Sequence, residues 1–241
     1  MSIFKKDGAS IYYEEAGEGP AILLIAPGGM RSSIQAWSAA PWNPIDELKG
    51  SFRVVAMDQR NAGRSEGIID SEDGWHTYVE DQLGLMDYLE IERFMVAGMC
   101  IGGPYIFKLL ETAEARIKAC VVFQTIGRDD NREEFYSMFD SWANDVKTGQ
   151  EIVSDEALRG LRENMFGGER ILFSVDDEFL RNTRVPMCVL MGNDVYHPES
   201  ASRFVADRVG EAVFIEDWKE GIEKEKAKIE VIDFLVDYCI N

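Results

Sequence analysis

Residues Gly98-Met99-Cys100-Ile101-Gly102 stand where an apolar run, Arg93 to Met99, passes directly into a helix-like run, Pro104 to Leu110. A strand that becomes a helix within one residue needs small side chains two before and two after the middle position. A Cβ at either flank would meet neighbouring chain. Such a turn holds its middle residue in a strained backbone geometry and pushes that side chain out of the sheet. It also aims the N–H groups at the start of the next helix toward whatever the side chain attacks. The middle residue here is Cys100, so the chemistry expected of the turn is that of a thiol. The bland alternative is a buried, inert cysteine at a strand end.

Strand-like and helix-like stretches alternate along most of the chain, the pattern of a mainly parallel sheet covered on both faces. Ile3 to Lys6 and Ser10 to Glu15 read as an opening hairpin around Asp7-Gly8. Ala21 to Ala26, Phe52 to Met57, the run ending at Met99, Ile117 to Phe123, Pro186 to Met191 and Ala212 to Ile215 are the expected strands. Helical periodicity marks Thr77 to Leu89 and Ile222 to Tyr238. One block, 127–182, interrupts the alternation with helix-like pieces rich in aromatics and methionine, among them Phe135, Tyr136, Met138, Phe139, Trp142, Met165 and Phe166. Inserted between two strands, it is expected to lie at the carboxyl ends of the sheet as a short helical lid over a cleft, where sheets of this kind bind ligands.

A chain of 241 residues, 46% hydrophobic, has enough apolar side chain for one large core, and residues 1–241 are expected to form a single domain. The charge balance, 25 basic against 44 acidic residues for a net −19, repels phosphate backbones and anionic lipid. Nucleic-acid and membrane partners are therefore not expected. No apolar run reaches the ~18 residues of a membrane span, and the start of the chain carries no signal-like apolar core. Cys100, Cys120, Cys188 and Cys239 lack CxxC spacing, which points to reduced thiols in a cytoplasmic protein and to neither a disulfide frame nor a metal site. No phosphate-loop or dinucleotide fingerprint occurs, so no cofactor is expected. Oligomeric state is left open, a homo-oligomer included.

Four signals in order resemble the α/β-hydrolase superfamily across nearly the whole chain. They are the strand and glycine loop Ala26-Pro27-Gly28-Gly29, the stretch Asp58-Gln59-Arg60-Asn61-Ala62-Gly63-Arg64-Ser65, the Cys100 turn, and Pro186 to Asp194. The resemblance implies a mostly parallel twisted sheet with helices on both faces. It also implies a nucleophile at Cys100, where the family usually carries serine, and an acid at Asp194. The family places its base histidine in the loop before the final helix, but that region here, Phe214 to Gly221, contains none.

Only His76 and His197 exist. His197, three residues after Asp194 at the mouth of the sheet, is the leading base, with Asp194 as its orienter. Capping of the following helix is the alternative role for His197. His76, at the start of the helix after the Asp58 strand, is the alternative base, though a cap or surface residue is the commoner use of that position. Lys219, near the place where the family's histidine would fall, would need strong desolvation to act as a base. The N–H of Ile101 and that of Gly29, with Gly28 close behind, are the expected oxyanion donors. The activity expected is cofactor-independent hydrolysis of an ester, thioester or lactone of a small apolar molecule through a Cys100 acyl-enzyme. A lyase, isomerase or transferase using the same pocket, or a ligand-binding relative without turnover, are the rivals.

Overall fold

In a computed structural model, residues 2–149 and 153–239 are described. The chain opens with β1 (Ser2–Lys6) and β2 (Ala9–Ala16), joined at Asp7-Gly8, where both residues adopt positive φ. β3 (Ala21–Ile25), α1 (Pro44–Leu48), β4 (Arg53–Met57) and a two-residue β5 (Glu66–Gly67) follow. Next come α2 (Trp75–Tyr88), β6 (Phe94–Met99), α3 (Gly102–Ala113) and β7 (Ile117–Phe123). α4 (Arg132–Gly149), α5 (Asp155–Arg162) and a π-helical turn over Glu163–Gly167 precede β8 (Met187–Leu190). α6 (Glu199–Ala206), β9 (Ala212–Ile215) and α7 (Gly221–Asp237) end the chain.

The sheet runs β1-β2-β4-β3-β6-β7-β8-β9, with β5 paired to β2. Its first three strands are antiparallel neighbours and the rest, from β4 to β9, are parallel. Parallel strands buried on both faces read as continuous apolar runs, and β6 is buried at every position. Alternate residues divide between two cores. Leu23, Ile25, Val96, Val122 and Val189 face α2 and α3, whereas Leu24, Ala97, Val121, Phe123 and Leu190 face α1 and α7. Cys100, at the end of the central β6, packs against both cores.

The expected strands over 117–123 and 212–215 match to the residue. The strand expected over 186–191 is shorter at each end, and α2 begins two residues before the periodicity predicts, at Trp75. Trp75 extends the helix because its indole is buried, edge-on to Tyr105 and Phe166, and donates to the Met165 carbonyl at 3.0 Å. Among the described residues, 127–182 contains helices and turns and no strand. No helix there or elsewhere among them is long and apolar enough to cross a membrane.

Two ion pairs brace the loop after β4. Arg60 makes a bidentate pair with Asp81 (2.8 and 2.7 Å), both side chains buried. Arg64 bonds Glu14 at 3.0 Å and lies over the Tyr12 ring. Asp58 is itself buried and accepts from the Ile34 and Arg64 N–H groups (2.7 and 2.8 Å), so its role is to hold loops.

Candidate active site

The turn at Cys100 has the strained geometry its small neighbours imply. Cys100 sits at φ 63°, a left-handed conformation that costs a non-glycine residue on the order of 1–3 kcal/mol. Hydrogen bonds offset that cost. The Cys100 N–H donates to the Phe123 carbonyl, and its own carbonyl accepts from the Gly103 and Ile126 N–H groups, each at 3.1 Å. The flanking glycines are sterically required. A Cβ on Gly98 would stand 2.9 Å from the Gly102 carbonyl oxygen, and one on Gly102 would stand 3.0 Å from that of Ile25. Strand and helix can approach this closely only without those carbons.

Opposite Cys100, the loop after β8 folds back upon itself. Asp194 and His197 exchange backbone hydrogen bonds (3.2 and 3.1 Å), and Asp194 Oδ1 also accepts from the Tyr196 and His197 N–H groups (3.0 and 3.1 Å). Gly192 makes this possible, because a Cβ there would run into the His197 carbonyl oxygen. Asn131 secures the loop from the other side, its Nδ2 donating to the Val195 carbonyl at 2.6 Å.

This fold carries the His197 ring into a largely buried position, its side chain 12% exposed, with Nδ1 at 2.8 Å from both carboxylate oxygens of Asp194. A carboxylate can only accept, so Nδ1 holds the proton and Nε2 is left to face outward from the pair. Nε2 is buried and makes no hydrogen bond of ordinary geometry within the described residues. The His197 ring and the Cys100 thiol perturb one another's protonation. Burial pushes the thiol's pKa up, but the His197 imidazole and the Gly28 and Gly29 N–H groups outweigh it and hold the thiol below its ordinary value. Burial likewise lowers His197, yet Cys100 and Asp194 together raise it above the usual imidazole range. Asp194 lies below the ordinary carboxylate value, since His197 and the backbone N–H donors overcome its partial desolvation. Both shifts run in the direction of a thiolate beside an imidazolium. Cys120 and Cys188, buried in β7 and β8, are pushed strongly upward by burial.

Gly28 and Gly29 adopt φ 121° and 58° in the loop after β3, and their N–H groups face the sulfur. Ile101 is buried and caps the N-terminus of α3, where N–H groups have no partner within the helix. The predicted residues Cys100, Asp194, His197 and Gly29 are thus brought together, with Ile101 next to Cys100 in the chain. His76 is exposed on the first turn of α2, its ring 3.5 Å from Thr77 Oγ1. Lys219 donates to Asn193 Oδ1 beside Asp194, and burial lowers its pKa. The last loop, where the histidine is absent, is filled by Trp218, fully buried against Phe123 and donating to the Met191 carbonyl at 2.8 Å.

One residue at the site escaped the sequence reading. Gln124 follows β7 at φ 35°, alongside Cys100 in the next strand, and its buried Oε1 makes no hydrogen bond within the described residues. The signal available was a polar side chain at the first position beyond a fully apolar parallel strand.

A family model described as alpha/beta hydrolase fold matches residues 21–160. The chain is 24% identical over 224 residues to a bifunctional esterase/perhydrolase of Acinetobacter calcoaceticus, covering 78% of this chain and 80% of that protein. It is 36% identical over 87 residues to a putative carbamate hydrolase of Agrobacterium fabrum, covering 36% of this chain and 31% of that one. Among solved structures, it resembles the enol-lactonase from Burkholderia xenovorans LB400 at a TM-score of 0.70, with 20% identity and all of both chains covered. A meta-cleavage product hydrolase from Pseudomonas fluorescens IP01 superposes at 0.71, with 19% identity over 95% of each chain.

Proposed function

The chain belongs to the alpha/beta hydrolase fold family, and from that premise we propose that it is a cofactor-independent hydrolase that opens an ester, thioester or lactone of a small apolar substrate through a Cys100 acyl-enzyme. The observation that carries this is the His197 ring, held through Nδ1 by Asp194 and coupled in its protonation to the Cys100 thiol. Relatives that bear the names of esterases and hydrolases support the same class of reaction.

In this scheme the Cys100 thiolate attacks the substrate carbonyl carbon, and the carbonyl π electrons move onto oxygen. The Gly29 and Ile101 N–H groups hold that oxyanion, with Gly28 beside them, and one such donor is worth ~2.7–4 kcal/mol in the transition state. As the tetrahedral species collapses, the His197 imidazolium gives its Nε2 proton to the leaving oxygen or sulfur. Neutral His197 then takes a proton from water, the hydroxide attacks the thioester, and the acid departs as the thiolate–imidazolium pair reforms. Asp194 keeps the proton on Nδ1 and steadies the imidazolium throughout. The described residues of 127–182 form the lid of this site, supplying its apolar roof.

The test is a pre-steady-state assay with 4-nitrophenyl acetate, paired with intact-mass analysis. A burst of one equivalent, with one acetyl group on Cys100 that Cys100→Ala lacks, is the expected result. A folded wild-type protein that releases nitrophenol without any burst or acylated species would point to chemistry without a covalent intermediate.

A further inference from the structure

The oxyanion loop and the proposed lid meet at the Met138 side chain. The Met138 sulfur occupies the space beside Gly29 so fully that a Cβ on Gly29 would lie 2.7 Å from it, with Met138 Cε at 3.2 Å and Cγ at 3.4 Å. Gly29 in turn presents its N–H to the Cys100 sulfur. Met138 therefore stands one glycine away from the reacting atom, partly buried against the core that also holds Cys100, Tyr136 and Tyr196.

The helix beneath Met138 is pinned. Ser141, Trp142 and Asp145 follow it at spacings of three, four and seven, on the same face of α4. Arg31, two residues beyond Gly29, bonds Asp145 (Nε to Oδ2, 3.1 Å) and Ser141 (3.0 Å), and the Trp142 indole donates to the Asn61 carbonyl at 3.0 Å. The backbone at Met138 is thus tied to the loops after β3 and β4. What remains free to move is an unbranched side chain whose torsions all rotate easily and which adapts its shape at small cost.

Building on the acyl-transfer reading, we propose that Met138 is the gate that sets the size of the acyl group admitted to Cys100. A carbonyl whose oxygen reaches the Gly29 N–H must bring its substituent against the Met138 thioether. A short acyl chain needs little room beside it, whereas a long or branched one has to displace it while α4 stays pinned.

Two measurements on wild type, Met138→Ala and Met138→Leu decide this, with Cys100→Ala as the blank. The first is kcat/KM for 4-nitrophenyl octanoate relative to the acetate. The second is the rate of Cys100 modification by N-benzylmaleimide relative to iodoacetamide, which needs no turnover. Met138→Ala is expected to raise both ratios, the ester ratio by roughly tenfold, the range over which pocket volume discriminates among hydrocarbon substituents. Met138→Leu, which conserves volume, should stay near wild type. A purely structural role would depress the small and large probes together, so unchanged ratios in Met138→Ala overturn the gate. If wild type leaves both esters untouched, the acyl-transfer reading fails, and the alkylation ratio still decides the gate.

Discussion

His197 Nδ1 lies 2.8 Å from both carboxylate oxygens of Asp194, three residues earlier on the same loop. The proposed base and its orienter therefore come from one tight turn after β8. Their mutual geometry is fixed locally by the Asp194–His197 backbone bonds, and only the distance to Cys100 depends on the sheet. A unit of this kind ties the reactivity of the thiol to the integrity of a single loop.

The pH dependence of thiol alkylation should reveal the pair. Cys100 is held below its ordinary value and His197 above its own, so the thiolate should appear at lower pH than in a free thiol. It should persist as the imidazolium is lost at higher pH. The two steps belong to the coupled pair and not to either residue alone. Iodoacetamide rates measured against pH should rise below the usual thiol range in wild type and shift upward in His197→Ala. A profile identical in the two proteins would remove His197 from the site.

Because the proposed acyl transfer needs the imidazolium to protonate the leaving group, ester turnover should be bell-shaped in pH even where alkylation is not. The acidic limb follows the thiol and the alkaline limb follows His197. Asp194→Asn should lower kcat about 10²- to 10⁴-fold by disturbing the Nδ1–H tautomer, without abolishing alkylation. His76→Ala, at an exposed position, should leave turnover close to wild type. Loss of activity in His76→Ala would reassign the base.

Gly29→Ala places a Cβ into the Met138 sulfur and forces alanine to φ 58°. It should misplace one oxyanion donor and cost roughly 10²–10³ in kcat. Alkylation by iodoacetamide, which needs no oxyanion donor, should change far less. Kinetics on the folded variant, checked by circular dichroism, distinguish the two effects.

Gly98→Ala introduces a Cβ against the Gly102 backbone, at 2.9 Å from its oxygen and 3.0 Å from its Cα. Neither group is a flexible side-chain end that could yield. Strand β6 and helix α3 would have to separate, at a cost of about 1–3 kcal/mol in unfolding free energy. Urea denaturation would measure this, and a midpoint equal to wild type would contradict the packing described for the turn.

Asp81→Ala leaves the buried Arg60 guanidinium without its bidentate partner. Breaking one side of a buried pair costs about 3–5 kcal/mol, so this variant should melt far below wild type. Alkylation of Cys100 in the fraction that stays folded should be nearly unchanged, since the pair braces the fold away from the sulfur.

The order of apolar runs and the glycines around Cys100 already specified a parallel α/β sheet with a thiol at its central turn. These signals are short-range: a buried strand is apolar along its whole length, and a turn without room for a Cβ must carry glycine. Even the Asp194–His197 pair was legible, because a spacing of three lets one turn join a carboxylate to an imidazole. The rest was written in no local pattern. Which imidazole meets the sulfur depends on the register that places β8 one strand beyond β7 and two from β6. The contact of Met138 with Gly29, and of Arg31 with Asp145, depends on how α4 settles on the loops. Gln124 beside Cys100 is visible only once β6 and β7 are paired. Contacts between residues far apart in the chain come from the packing of whole elements, and many sequences of the same local pattern could pack differently.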